Sequence, residues 1–259
     1  MTRLKLTLAY VGTRYHGWQT QARPGGADTR TVQSCIEAAI SRITGRPCRV
    51  HGSGRTDSGV HALGQVAHCD VPEDKARVDW LRALNALLPD DVSVLSVESA
   101  AEDFHARYDV RAKVYAYSLW LSRRYVFPQR RPFVWVVGEL DLAAMDRAAT
   151  LFVGEHDFAA FQNVGTTVAS TVREVQVVTR DWAPPPFGLA GGEALELVWS
   201  FQADGFLKQM VRNLVGCLVA VGRGQLAAEA FSDLLVGRDR TLAPATAPAR
   251  GLCLCRVIY

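Results

Sequence analysis

Apolar residues alternate with polar ones at the start of the chain and then change to a helical spacing. Residues 4, 6, 8 and 10 predict a strand, and apolar residues every three or four positions from Val32 to Ile43 predict a helix. Short strands over 47–51 and 65–71, a helix that ends near Pro89 and a strand over 92–97 follow. The first hundred residues therefore predict the order β-α-β-β-α-β.

The second half of the chain has a similar order. It predicts a strand around 115–121, a helix around 142–152, strands over 172–179 and 195–201, helices over 206–221 and up to Val236, and a last strand over 252–259. Apart from extra pieces such as the second helix, this is again the split βαβ arrangement. Three stretches rich in Pro, Gly or Ala, 21–28, 181–192 and 241–250, predict surface loops.

These patterns predict an α+β fold of two similar β-α-β-β-α-β halves, residues 1–105 and 106–259. We expect their antiparallel sheets to lie side by side, with helices on one face and an open cleft on the other. A functional site is expected in that cleft.

Composition argues against export and against a membrane role. The 259 residues are 49% hydrophobic, which is enough for a sizeable core. The start of the chain lacks the apolar run of a signal peptide, and the best membrane candidate, 210–221, is interrupted by Arg212 and Asn213. We therefore expect a cytoplasmic protein. The six cysteines contain no C-x-x-C pair, which favours reduced thiols over disulfides or zinc.

The positive charge is carried mainly by arginine and is concentrated in one stretch. The net charge of +3 includes 25 Arg and only 4 Lys, and the segment 107–131 holds seven of these cations against the single acid Asp109. Cations interleaved with tyrosines are typical of proteins that bind looped or single-stranded nucleic acid. A solvated basic face would give the same pattern. The seven cations are Arg107, Arg111, Lys113, Arg123, Arg124, Arg130 and Arg131.

A glycine-rich loop carries the strongest candidate for chemistry, Asp57. Three glycines bracket the polar residues of 51–61, so the backbone can approach a ligand closely. A turn whose side chains bond locally is the alternative, but a connection of about a dozen residues is longer than most hairpin loops. The nearby His51, His61, His68 and Cys69 do not have the spacing of a metal site, because neighbours in a strand point to opposite faces.

Three residues of the second half are candidate partners for this loop. Arg212 interrupts an apolar helix face, where a guanidinium needs an anion, although a solvent-facing position beside Lys208 fits the spacing equally well. Tyr115 and Tyr117 share one face of a strand, and either ring could pack on a base or in the core.

At these residues the sequence resembles the TruA-type tRNA pseudouridine synthases. Residues 54–62, Gly-Arg-Thr-Asp-Ser-Gly-Val-His-Ala, are similar to that family's signature G-R-T-D-A-G-V-H-A, with Ser58 in place of the usual alanine. Further similar segments are 15–19, 103–107, 115–117, 210–216 and 247–252, so the resemblance covers essentially the whole chain.

The resemblance implies a role for each matched residue. Asp57 is the catalytic aspartate, Tyr115 packs on the target uracil, Arg212 pairs with Asp57, and Arg55 fills the space that the flipped base leaves. It also implies an RNA-binding cleft, action on uridines 38 to 40 of the tRNA anticodon stem-loop, a homodimer, and no metal or cofactor.

The chemistry is compatible with these residues. Moving ribose from N1 to C5 of uracil needs an anion at the sugar, and Asp57 could act as a nucleophile or as a base. Access to a stacked base requires base flipping. Two alternatives are an RNA N-glycosidase and a non-catalytic RNA chaperone.

Overall fold

The structure is a computed structural model, and it describes residues 1–20, 30–163, 165, 168–184 and 195–259. The predicted loop 21–28 and most of the predicted loop 181–192 lie outside these ranges. The helices and strands are β1 Thr2–Tyr10, α1 Val32–Thr44, β2 His51–Gly52, β3 His61–Val71, α2 Trp80–Asn85, β4 Val92–Ser99, β5 Ala112–Trp120, β6 Trp135–Val136, α3 Leu142–Thr150, β7 Gly154–Asp157, β8 Val172–Trp182, β9 Glu196–Ala203, α4 Met210–Gly222, α5 Ala230–Gly237 and β10 Leu252–Ile258. Among these helices, none is long and apolar enough to cross a membrane.

The chain divides into two compact units, Met1–Arg111 with Cys253–Tyr259, and Ala112–Leu252. The predicted halves, 1–105 and 106–259, differ from this division in residues 106–111, which belong to the first unit, and above all in the assignment of the last strand. The reason is that β10 pairs in parallel with β3, through Cys253 opposite His61 and Leu254 opposite Ala62. A pairing between residues so far apart in the chain leaves no mark on the local pattern.

In the first unit, four strands follow one another in the order β4-β1-β3-β10, and β2 adds to β3. The alternating residues of β1 are buried, and so is the apolar face of α1, including Ile36 and Ile40. Helix α1 begins at Thr31, whose side chain accepts a hydrogen bond from the Ser34 amide, and it ends at Gly45 with a φ of 73°. The predicted element order of this half is confirmed.

In the second unit, the order is β5-β9-β8-β7, and β6 pairs with β5. Helix α4 is buried along nearly its whole length, with Arg212 as a half-buried exception. It begins at Met210 rather than at the predicted Phe206, because Gln209 has a left-handed backbone with a φ of 63°. Both units mix helices with sheet, which confirms the predicted α+β class.

The connection that carries Asp57 is shorter than the sequence suggested. The predicted strand 47–51 is reduced to the two residues of β2, and β3 starts at His61 instead of 65. The loop between them therefore spans 53–60. It is held by contacts with other parts of the first unit.

Candidate active site

The first end of the Asp57 loop is anchored by a buried glutamine of β3. The Gln65 side chain, fully buried, accepts a hydrogen bond from the Ser53 hydroxyl at 2.7 Å and donates one to the Gly54 carbonyl at 3.0 Å. The Ser53 amide also donates to the Val66 carbonyl at 2.7 Å. These bonds satisfy the buried polar groups and fix the chain as it leaves β2.

Thr56, the residue before Asp57, is fixed through its side chain and its backbone. Its buried hydroxyl lies 2.8 Å from the Tyr10 hydroxyl, and its carbonyl accepts a hydrogen bond from the Trp18 amide at 3.0 Å. Gly17 packs against this peptide so closely that a Cβ there would come within 2.6 Å of the Thr56 carbonyl oxygen. The backbone of Asp57 therefore has little freedom on its N-terminal side.

The far end of the loop is also held. The Val60 amide donates to the Asp57 carbonyl at 3.1 Å, and the Ser58 hydroxyl donates to the Tyr15 carbonyl at 3.0 Å. Gly12 lies directly beneath, where a Cβ would come within 1.9 Å of the Val60 carbonyl oxygen. The loop is thus braced along its length, and its hydrogen bonds reach beyond the local turn that the sequence left as an alternative.

The two candidate side chains of this loop differ in exposure. Asp57 is half-buried, whereas Arg55 is exposed. A half-buried carboxylate on a fixed backbone can face a substrate in one orientation, and an exposed arginine can move to meet it.

In the second unit, the two tyrosines of β5 are both buried but are held differently. Tyr115 lies opposite Phe201 of β9, and its ring meets Phe206 edge-on with centroids 5.2 Å apart. Tyr117 is fully buried, and its hydroxyl donates to the Pro248 carbonyl at 2.7 Å. Burial raises the pKa of Tyr117. The Tyr117 ring is packed in the core, so Tyr115 is the better of the two candidates for packing on a base.

Arg212 is oriented by the loop that follows α5. Its Nε donates to the Ala247 carbonyl at 2.8 Å, and the Ala247 amide donates back to the Arg212 carbonyl at 3.1 Å. Arg212 also lies close enough to Tyr117 to oppose the rise in that residue's pKa. The guanidinium is therefore held in a set direction.

The neighbouring Asn213 fixes this loop to α4. It is fully buried, donates to the Phe161 carbonyl at 2.6 Å, and accepts hydrogen bonds from Thr246 at 2.7 Å and from Arg240 at 3.0 Å. The predicted loop 241–250 is thus tied down in this part. Asn213 and Arg240 therefore hold the loop that orients Arg212. The sequence did not single them out, although a polar amide within an apolar helix is a usable signal.

The arginines of the predicted basic segment fall into two groups. Arg130 forms a bidentate ion pair with the buried Glu196, with N–O distances of 2.8 and 2.5 Å. Arg123 donates a hydrogen bond to the Val137 carbonyl. These two have structural partners. The other arginines of the segment, Arg107 and Arg111 in the first unit and Arg124 and Arg131 in the second, are exposed, and so is Arg123. Within the described residues, no group of three or more side chains could hold a metal ion.

Comparison with known proteins gives the class to which this fold and these residues belong. A family model described as tRNA pseudouridine synthase matches residues 7–109 and 148–259. Asp57, Arg55 and Arg212 lie within the matched ranges, and Tyr115 lies between them.

Individual relatives give the same result over the full length. The tRNA pseudouridine synthase A of Solidesulfovibrio magneticus is 58% identical over 262 residues, which cover 100% of this chain and 92% of the relative. The protein of the same name from Nitratidesulfovibrio vulgaris strain Miyazaki F is 52% identical and covers 100% of both chains. That of Geobacillus kaustophilus is 40% identical, with 99% and 94% covered.

The chain belongs to the tRNA pseudouridine synthase family. This membership confirms the predicted family and the predicted class of enzyme, an isomerase that acts on tRNA. It does not favour the N-glycosidase or the chaperone.

Proposed function

We propose that this protein converts uridine to pseudouridine at positions 38 to 40 of the tRNA anticodon stem-loop, and that Asp57 carries the reaction. The placement of Asp57 supports this most directly. It is a half-buried carboxylate on a loop that Thr56 and Val60 hold from either side. A carboxylate held in place can meet the ribose in a reactive geometry without a further cost in ordering.

The reaction breaks the bond between ribose C1′ and uracil N1 and joins C1′ to C5; C5 loses its proton and N1 gains one, so the mass is unchanged. Asp57 acts either as a nucleophile, with a covalent intermediate that resembles that of retaining glycosidases, or as a base that removes a ribose proton. Both routes need the ionised carboxylate. Neither route calls for a metal or a cofactor.

We propose that the target uridine is flipped out of its stack before reaction. Arg55 then fills the vacated space, which its exposure supports, and Tyr115 packs on the base. The edge-on contact with Phe206 fixes the orientation of the Tyr115 ring, which supports this role. Arg212 supplies the cation for Asp57, and the bond from its Nε to Ala247 supports this role by fixing its direction.

The test is incubation of undermodified tRNA with the wild type and with Asp57→Asn, followed by carbodiimide-based mapping of pseudouridine. We expect modification at 38 to 40 by the wild type and none by Asp57→Asn. Asp74→Asn is the matched control, because it makes the same change at an exposed carboxylate outside the Asp57 loop and should keep activity. Absence of pseudouridine at these positions with the wild type contradicts the proposal. Mass spectrometry checks the reaction class, since isomerisation leaves the RNA mass unchanged.

A second experiment tests Arg212. Arg212→Met should lower kcat strongly because the carboxylate loses its cation, while Arg212→Lys should restore part of it. Near-normal turnover of the Met variant contradicts the pairing.

We also propose that the protein is a homodimer, which the family resemblance supports, and that it acts in the cytoplasm, which its composition favours. Sedimentation equilibrium with and without tRNA tests the first, and a monomer mass in both conditions contradicts it. Cell fractionation tests the second.

A further inference from the structure

The first unit displays one aromatic ring in an unusually open position. Tyr108 is 74% exposed, which makes its ring the most exposed aromatic one among the described residues. A single exposed side chain is common on protein surfaces, so the exposure of Tyr108 is informative only together with the way its ring is held.

The ring of Tyr108 is exposed and also held in place. It stacks on the His105 ring with centroids 4.2 Å apart and planes 26° apart. His105 in turn is fixed by its Nδ1, which accepts hydrogen bonds from the amides of Arg107 at 3.1 Å and Tyr108 at 3.3 Å. The Asp109 carboxylate closes the turn by accepting from the His105 amide at 2.8 Å.

The support continues into the buried part of the unit. His105 meets the buried His68 edge-on at 4.7 Å, and His68 accepts a hydrogen bond from the Ala106 amide at 3.1 Å. The Ala106 carbonyl accepts from the Tyr259 hydroxyl at 2.7 Å. One face of the Tyr108 ring is therefore covered by His105, which in turn packs against the buried His68.

The charges around the ring are mixed. Arg107 and Arg111 are exposed, and the Arg107 guanidinium lies over the Tyr108 ring, 5.8 Å from its centre, so it must move aside when a base stacks on that face. The exposed acids Glu102 and Asp103 lie within electrostatic range of Arg3. Because exposed acids lie near the exposed arginines, this surface does not select a partner by negative charge alone. A nucleotide fits better, since its base can stack on the Tyr108 ring while its phosphate lies beside an arginine.

We propose that Tyr108 is a stacking platform for an unpaired base of the substrate tRNA other than the target uridine, with Arg107 and Arg111 beside its phosphates. The proposal rests on the proposed function for the identity of the RNA. Base stacking on an aromatic ring tolerates any base, and a ring already held in place loses little freedom when a base binds.

The test measures the Kd of an undermodified tRNA transcript by filter binding and, separately, KM and kcat for pseudouridine formation. Tyr108→Ala should raise Kd and KM roughly tenfold, the size of one lost stacking contact, and leave kcat unchanged within about twofold. Tyr108→Phe and Tyr108→Trp should bind like the wild type. Tyr108→Leu, an apolar residue that cannot stack, should behave like Tyr108→Ala.

The salt dependence of the tRNA Kd distinguishes base stacking from electrostatic contacts with phosphates. The ratio of the Tyr108→Ala Kd to the wild-type Kd should stay constant as salt is raised, because stacking releases no counterions, whereas Arg107→Ala should reduce the salt dependence itself. Trp182→Ala is the matched control, since this exposed aromatic residue lies outside the basic segment 107–131.

Equal tRNA Kd values for the Leu and Phe variants overturn the platform, even if Tyr108→Ala folds poorly. Because Kd is measured without turnover, a wild type that binds tRNA through Tyr108 but forms no pseudouridine would overturn the proposed function and leave the platform standing.

Discussion

The hydrogen bond between Tyr10 and Thr56 can be tested for its effect on stability and on catalysis in one set of variants. Both side chains are about 95% buried, and their hydroxyl oxygens are 2.8 Å apart. Tyr10→Phe removes one hydroxyl and leaves the other buried without this partner, which costs about 1–3 kcal/mol of unfolding free energy. Thr56→Val, which is nearly identical in shape, removes the Thr56 hydroxyl and leaves the buried Tyr10 hydroxyl without this partner. It should lower the unfolding free energy by a similar amount.

The double variant gives the sharper result. With both hydroxyls replaced by apolar groups of similar shape, neither hydroxyl of the pair is left without the other, and the interaction of Tyr10 with Gln65 is lost equally in the Tyr10 single variant and the double variant. The two single effects should therefore not add, and the coupling between them should be about 1–2 kcal/mol. Urea unfolding measures all four proteins, and m should stay constant across the set.

The same variants should lower kcat for pseudouridine formation, because Thr56 adjoins Asp57 and a small displacement of a reactive group slows a reaction by roughly ten- to a hundredfold. KM should change little. Asn85→Ala is the control, since it breaks two hydrogen bonds to Val94 at 2.9 and 2.8 Å and has no bond to the Asp57 loop. It should cost stability but not kcat. Additive stabilities in the cycle, or an equal loss of kcat in the control, would refute the reasoning.

Three further predictions concern stability. Burial lowers the pKa of His68 to about 4, so the unfolded chain takes up the proton first and stability should fall by about 2 kcal/mol as pH drops from 6.5 to about 4.5. His68→Asn keeps an acceptor for the Ala106 amide, and urea unfolding of this variant should show a smaller loss of stability over the same pH range. A loss equal to that of the wild type would contradict the assignment of the pH dependence to His68. Gly12→Ala should lower unfolding free energy by about 3 kcal/mol, because its Cβ meets a carbonyl oxygen at 1.9 Å, and an unchanged Tm refutes this. Arg130→Met should cost about 3 kcal/mol by stranding the Glu196 carboxylate, and adding Glu196→Leu should recover most of it; no recovery in urea unfolding argues against the pair.

Elements with a long, regular pattern could be predicted from the sequence. The alternation of β1 and the helical spacing of α1 both led to the right element within two residues. The very short strands β6 and β7 were missed, because two to four residues carry no measurable period and such strands exist only through their partners. The start of α4 was placed too early because apolar spacing continues through Gln209, where the backbone leaves the helix.

The candidate site was likewise only partly predictable from the sequence. The glycines and the polar residues of the loop were enough to select Asp57, but its supports at Tyr10 and Gln65 were not foreseen. Both belong to strands with a strongly apolar pattern, and Leu8 lies opposite Gln65 only in the observed register of β1 with β3. A shift by one residue would turn the Gln65 side chain to the other face.

Polar residues within apolar patterns nevertheless carried more information than the patterns themselves. A buried polar group is tolerated only with a hydrogen-bond partner, so each one implies a second segment of chain at a set place. Gln65 implies the start of the Asp57 loop, Tyr10 implies Thr56, and Asn213 implies the loop that orients Arg212. In each case the partner belongs to a segment that carries or orients a candidate catalytic group. Exchanging any of these three for an apolar residue of similar size would keep the hydrophobic pattern intact and should still loosen that segment.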